Sequence, residues 1–300
     1  MTRTLLRGGR VFDGTGSPPA EADVVVEDGR ILEVGPGLDG DEAVDVGGRH
    51  LLQGLFDCHT HVTLTSVDLM GILQAPFSYR FFQTVQNLAA TLRVGITTVR
   101  DAAGADAGVK QAVADGLVPG PRLQISVALV SQTGGHGDGW FRSGQEVNFW
   151  PTYPGMPDAL VDGPEAMRRK VRELVRAGAD VIKVATSGGV LSPTDDPRHA
   201  HFRDDELAAL VAEAAAAGRW VMAHAQAAKG IKAAVRAGVR SIEHGISLDD
   251  EAIGLLLDRR SRSPRPTPTP SAGPWPPGSR WPWGPTAASP PTAATWPSWS

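Results

Sequence analysis

The run Leu207-Ala-Ala-Leu210-Val211-Ala-Glu-Ala-Ala-Ala-Ala-Gly218-Arg-Trp220-Val-Met-Ala-His224 contains one full repeat of the pattern that decides the fold. Leu207, Leu210 and Val211 recur at helical spacing, so one face of a helix is apolar. Gly218 suits the left-handed residue that ends a helix. A short apolar strand follows and closes on a histidine. The same order recurs upstream, with Val85, Leu88, Ala89 and Leu92, then Gly95, then Ile96-Thr-Thr-Val-Arg100. It recurs with Met167, Val171, Leu174 and Val175, then Gly178, then Val181-Ile-Lys183-Val. A fourth copy runs from Ile231 to Val235, through Gly238, to Ser241-Ile-Glu-His244.

Serial βα units of this kind imply a parallel sheet, and about six in a row favour a (β/α) barrel over a doubly wound sheet. No glycine-rich phosphate loop opens a helix, which counts against the doubly wound alternative. A polar residue stands five or six positions beyond each glycine: Arg100 and Asp101, Lys183, His224 and His244. All fall at the C-terminal ends of their strands, the face on which such barrels do chemistry.

Either side of this α/β region the pattern changes. Residues 1–52 carry short apolar runs, Val24–Glu27 and Ile31–Val34, punctuated by Asp13-Gly14, Asp28-Gly29 and Asp39-Gly40, and read as a small β domain. Residues 53–258 form the α/β domain. Residues 259–300 hold 12 of the 24 prolines and 5 of the 8 tryptophans, and contain no Asp, Glu, Lys, Val, Ile, Leu or Met. Such a stretch has no apolar face to bury, and disorder is expected.

Composition narrows the function classes. A net charge of −4 gives no footprint for nucleic acid or an anionic membrane. One cysteine, Cys58, excludes an internal disulfide and suits a reducing compartment. With no apolar leader and no apolar run of eighteen residues, a cytoplasmic protein is expected. The partner expected is a small molecule, and a homo-oligomer is compatible with the sequence.

The chemistry sits on five residues. Leu55-Phe-Asp-Cys-His59-Thr-His61 is an apolar strand ending in His-x-His. Positions i and i+2 share a face, so the two imidazoles converge while Cys58 and Thr60 point away. Paired imidazoles suit Zn²⁺, Mn²⁺, Co²⁺ or Ni²⁺. Lys183 interrupts the apolar strand Asp180-Val-Ile-Lys-Val-Ala. A buried lysine is costly unless paired or modified, although one at a strand end can also snorkel to solvent. Carbamylation by CO₂ would turn it into an anionic ligand able to bridge two cations. His224 and His244 close two further strands on the same rim. Independent structural histidines need not gather there.

This set resembles the amidohydrolase superfamily, in particular its imidazolonepropionase-like and Xaa-Pro-dipeptidase-like branch. Gly54-Leu-Phe-Asp-Cys-His-Thr-His is similar to the strand-1 metal motif of that family. Lys183 stands where its carbamylated lysine stands, and His224 and His244 where its strand-5 and strand-6 ligands stand. Thr133-Gly-Gly-His136-Gly-Asp resembles a loop that contacts the scissile carbonyl, and Gln226 occupies a position where some relatives use a tyrosine to hold a substrate carboxylate. Residues 1–52 are similar to half of a small β-sandwich. The resemblance implies two divalent ions (Zn²⁺ first, with Mn²⁺, Co²⁺ or Ni²⁺ as alternatives), CO₂ for Lys183, and hydrolysis of a C–N bond in a dipeptide or N-acyl amino acid by metal-activated hydroxide. His136 would steady the oxyanion and contact substrate together with Gln226. An Arg100–Asp101 pair is expected to be structural.

The resemblance also implies a strand-8 aspartate that shuttles the proton, and no acidic residue follows Asp258. An incomplete TIM-like (β/α)8 barrel is therefore expected, and the alternative to a working hydrolase is a truncated chain that is inactive and at most metal-binding. The codons of Gly278–Ser300, read one frame over, force Ala across Trp281/Pro282 and Trp296/Pro297 and Gly across Trp283/Gly284. They permit a Gly-Thr-Asp whose Asp codon spans Pro285 and Thr286, so the tail is expected to be a frameshifted barrel end. Sequencing the coding DNA checks this: codons unable to encode Gly-Thr-Asp in the alternate frame would sink it.

Overall fold

A computed structural model describes residues 2–192 and 195–262 and divides them into two compact units, with the break after Gln53. The first unit is a five-stranded mixed sheet. Its strands are β1 (Thr4–Phe12), β2 (Ala20–Glu27), β3 (Arg30–Gly35), β4 (Glu42–Asp45) and β5 (His50–Leu52). The order is β3-β2-β1-β4, and β5 also pairs with β1. Asp28 and Gly29 both adopt positive φ, 49° and 71°, as the two-residue turn between β2 and β3 requires. Leu5 and Val25 are fully buried on one side. The Asp23 carboxylate accepts N–H bonds from Gly8 at 2.8 Å and Leu38 at 3.2 Å and fixes the adjoining loops.

The second unit alternates strand and helix: β6 (Leu55–Thr60), α1 (Leu69–Gln74), α2 (Tyr79–Arg93), β7 (Ile96–Asp101), α3 (Ala107–Ala114), β8 (Arg122–Ile125) and β9 (Leu129–Val130). It continues with α4 (Pro164–Arg176), β10 (Ile182–Ala185), α5 (Asp204–Ala216), β11 (Val221–Ala225), α6 (Ala228–Ala237), β12 (Ser241–His244) and α7 (Asp250–Arg262). The periodic residues are the ones that bury. Met167, Val171 and Leu174 of α4 and Leu207 and Leu210 of α5 are sealed from solvent. Each such side chain contributes about 1.5–3 kcal/mol. Gly95, Gly178, Gly218 and Gly238 all take positive φ where the helices end.

All the strands of this unit pair in parallel, but they form two sheets, β6-β7-β8 and β12-β11-β10-β9. The fold is α/β with parallel sheets. Among the described residues no ladder joins the two sheets, and β6 and β12 are each bonded on one side only. In-register pairing still places the strand ends on one rim: Ala185 lies opposite His224, Ala225 opposite His244 and Thr60 opposite Asp101.

Three expectations need correction. His61 lies one residue beyond β6, because the chain turns where the Asp101 carboxylate captures the Val62 N–H at 2.8 Å. Arg100 and Asp101 do not pair. The Asp101 carboxylate also accepts from the Ala103 and Ala105 N–H groups, while Arg100 reaches across to β12. Finally, the α/β domain does not stop at 258. Helix α7 continues to Arg262, and the Arg259 guanidinium donates to the Val235 and Gly238 carbonyls at 2.9 and 2.6 Å, capping the end of α6. The rest of the predicted disordered tail, 263–300, lies outside the described residues. No helix among the described residues is long and apolar enough to cross a membrane.

Candidate metal centre

The structure brings the five predicted ligands and His136 to one cavity of about 350 Å³, all within the second unit. His59, on β6, and His61, just after it, meet edge to face with ring centroids 5.4 Å apart. Each has one ring nitrogen taken: Nδ1 of His61 by the Ala103 carbonyl at 3.0 Å, and Nδ1 of His59 by the Glu243 carboxylate at 2.6 Å. Each Nε2 is left as the candidate donor. Holding one nitrogen by a carbonyl or carboxylate is how ligand imidazoles are commonly oriented.

Lys183 lies in β10 between the buried Ile182 and Val184 and is itself only 2% exposed. Its Nζ has no hydrogen-bond partner among the described groups. Burial, opposed by the Glu243 charge and assisted by Arg100, brings the ammonium down to about 7. Near neutral pH much of the amine is then unprotonated, the form that adds CO₂.

His224 ends the fully buried β11, with Nε2 3.1 Å from the Gly188 carbonyl. His244 closes β12 at φ 70°. Its ring is 4.5 Å from that of His224 and 4.9 Å from that of His59. Burial is the first cause that lowers these imidazoles, followed by neighbouring cationic groups: His61 to about 4, His224 to about 2 and His244 to about 4. All three are neutral at pH 7, as ligation requires. Among the described residues no group of three or more His, Cys, Asp and Glu is arranged to hold an ion. The donor chemistry nevertheless fits a divalent cation: four imidazoles, three of them with one nitrogen anchored, around a buried amine that lacks a partner.

His136 stacks on His224 at 4.1 Å. The Ser192 hydroxyl is 2.6 Å from its Nδ1 and donates to its carbonyl at 2.9 Å, while the Asp195 carboxylate lies 3.6 Å from Nδ1. Gln226 is buried at the end of β11 and lines the cavity, its N–H donating to Ser187 at 2.7 Å. Leu64, Phe141, Phe149, Trp150 and Leu191 supply apolar wall.

Sequence reading missed Glu243. Its signal was present: an acid inside the apolar run Ser241-Ile-Glu-His, the same anomaly that marked Lys183. The Ser192–Asp195 support of His136 left no local signal, because it joins two loops 56 residues apart.

Comparison with known proteins identifies the family. The amidohydrolase family model matches residues 51–259. Ochratoxinase of Aspergillus niger is 35% identical over 274 residues, covering 85% of this chain and 57% of that protein. A prolidase complexed with N-methylphosphonate-L-proline superposes with a TM-score of 0.78 at 40% identity, over 86% of this chain and 64% of that one. A Xaa-Pro dipeptidase with bound methionine gives 0.76 at 29% identity, over 86% and 65%. The chain thus spans less than two thirds of the length of these relatives. Matched over more than two thirds of its own length, it belongs to the amidohydrolase family.

Proposed function

We propose that this chain carries the metal-binding part of a hydrolase that cleaves the amide bond of a dipeptide or an N-acyl amino acid, on a TIM-like (β/α)8 scaffold. The observation that carries this reading is Lys183, a buried amine without a partner, in a cavity lined by imidazoles. His59, His61, His224, His244 and a carbamylated Lys183 would hold two divalent ions, Zn²⁺ or in its place Mn²⁺, Co²⁺ or Ni²⁺. Ions bound there would supply the Lewis acidity that polarises an amide carbonyl and acidifies water. His136, with Nδ1 engaged by Ser192, would turn Nε2 to the carbonyl oxygen and steady the negative charge developing there when the ring carries both protons. The Ser192 hydroxyl donates to the His136 carbonyl and leaves its oxygen to accept from Nδ1–H. The apolar wall accepts a hydrophobic substituent, and Gln226 offers a neutral amide where a substrate end group would lie. The prolidase and dipeptidase among its structural neighbours favour a dipeptide.

A second reading, a metal-binding chain without turnover, is favoured by the state of the carboxylates. Asp101 is fully buried and accepts three backbone N–H groups. Asp138, in the cavity wall, accepts from Gly134 and Trp140. Glu243 is taken by His59 and Arg100. None of these three is free to move a proton between water and a leaving group.

One assay separates the readings. The purified chain is loaded with Zn²⁺ or Mn²⁺ plus bicarbonate, and metal content is measured beside hydrolysis of dipeptides and N-acyl amino acids. About two ions per chain with turnover supports the hydrolase. Bound metal without turnover supports the second reading, and a chain that takes up no metal contradicts both.

A further inference from the structure

Glu243 spends both carboxylate oxygens on the candidate centre without facing substrate. Oε2 lies 2.6 Å from Nδ1 of His59. Oε1 accepts from Arg100 Nη2 at 3.0 Å and from the Ser241 hydroxyl. Arg100 also donates through Nε to the carbonyl of Cys58, the residue before His59, at 2.7 Å, and lies over the Trp220 ring at 5.1 Å. Two side chains, one from β12 and one from β7, thus grip two successive residues of β6. The carboxylate is 6% exposed, so little water competes for it.

The consequence falls on His59. An imidazole whose Nδ1–H is given to a carboxylate has its tautomer and ring plane fixed, and its Nε2 becomes a stronger donor. His61 is oriented too, but by a neutral carbonyl, so the two members of the His-x-His pair are held by partners of different strength. We infer that Glu243 is a positioning residue that aims His59 and sets the affinity of the site for a divalent cation, with Arg100 acting by holding Glu243. This rests on His59 being a ligand, as proposed above. It also removes Glu243 as a stand-in for a proton-shuttling acid, because neither oxygen is free.

The test is a cation-affinity measurement on the full chain, stripped with a chelator and titrated with Zn²⁺ in bicarbonate against a chromophoric competitor, with metal-free melting curves alongside. Glu243→Gln is expected to weaken Zn²⁺ binding about 10- to 100-fold. Arg100→Ala should weaken it less. Wild-type affinity in Glu243→Gln overturns the inference and leaves the contact a plain ion pair, even if the melting temperature drops. Should that variant fail to fold, Glu243→Asp replaces it. Withdrawing the carboxylate by one methylene is expected to cost several-fold in affinity, and an unchanged value again overturns the inference. His59→Asn keeps the two readings apart. If it binds Zn²⁺ as the wild type does, the ligand assignment has failed, rather than the role of Glu243 alone.

Discussion

Lys183→Met is expected to raise the melting temperature of the metal-free chain at pH 7 by roughly 8–16 °C while abolishing binding of a cation pair. The amine is 2% exposed with Nζ unpartnered, and burial holds it at about 7 against 10.5 for a free lysine. Keeping it there costs the folded chain on the order of 4 kcal/mol at pH 7. Methionine has similar length and no charge, so the substitution removes that cost without opening a large cavity. For a unit of this size each kcal/mol moves the midpoint by about 2–4 °C. The pH dependence follows with a definite sign. Between about pH 7 and 10.5 the unfolded chain binds the proton that the folded chain has released, so wild-type stability rises with pH through that window. The methionine variant should lack that rise. Calorimetric melts at pH 7 and pH 9, with chelator and without CO₂, read both effects. Equal slopes in the two proteins would mean that burial does not lower the Lys183 ammonium. Because the proposed centre would take this lysine, once carbamylated, as a ligand, the stabilised variant should also be the one that no longer takes up two ions.

Whether a feature was legible in the sequence depended on whether its cause was local. Helix α4 could be read because Met167, Val171 and Leu174 repeat on one face and bury together, and Gly178 ends the helix by taking φ 97°. Lys183 could be read because a charge inside an apolar strand is anomalous whatever surrounds it. Glu243 carried the same anomaly, but its partner His59 is 184 residues away. The Arg100–Asp101 pairing failed because strand geometry sends adjacent side chains to opposite faces. One side chain crosses to β12 and the other turns into the backbone around Val62 and Ala105. The end of α7 was misplaced because composition reports only what can bury apolar surface. Arg259 belongs to the fold through hydrogen bonds to carbonyls of another helix.

Gly230→Ala and Gly254→Ala make the same chemical change in two helices and should move stability in opposite directions. Gly230 is buried in α6, and a Cβ there would stand 2.3 Å from the Thr186 carbonyl oxygen and 3.2 Å from the Ser187 side chain. The obstacle is backbone, so α6 or the end of β10 must shift. Overpacking of this kind costs about 1–3 kcal/mol and sometimes more, which outweighs the gain of up to about 1 kcal/mol that alanine brings to a helix. Gly254, in α7, has nothing within 4 Å of its Cβ position, so the helix gain stands alone. Thermal melts should show Gly230→Ala falling by several degrees and Gly254→Ala rising by about 2–4 °C. A shift of the same sign in both would refute the close approach at Gly230. The first substitution should also reach the centre. Thr186 N–H donates to the His224 carbonyl at 2.9 Å, and Ser187 Oγ accepts the Gln226 N–H at 2.7 Å. Displacing Thr186 and Ser187 therefore drags the end of β11 that carries His224. Zn²⁺ uptake should fall in Gly230→Ala and stay at the wild-type level in Gly254→Ala, because only the former pushes on the strand ends from which the ligands project.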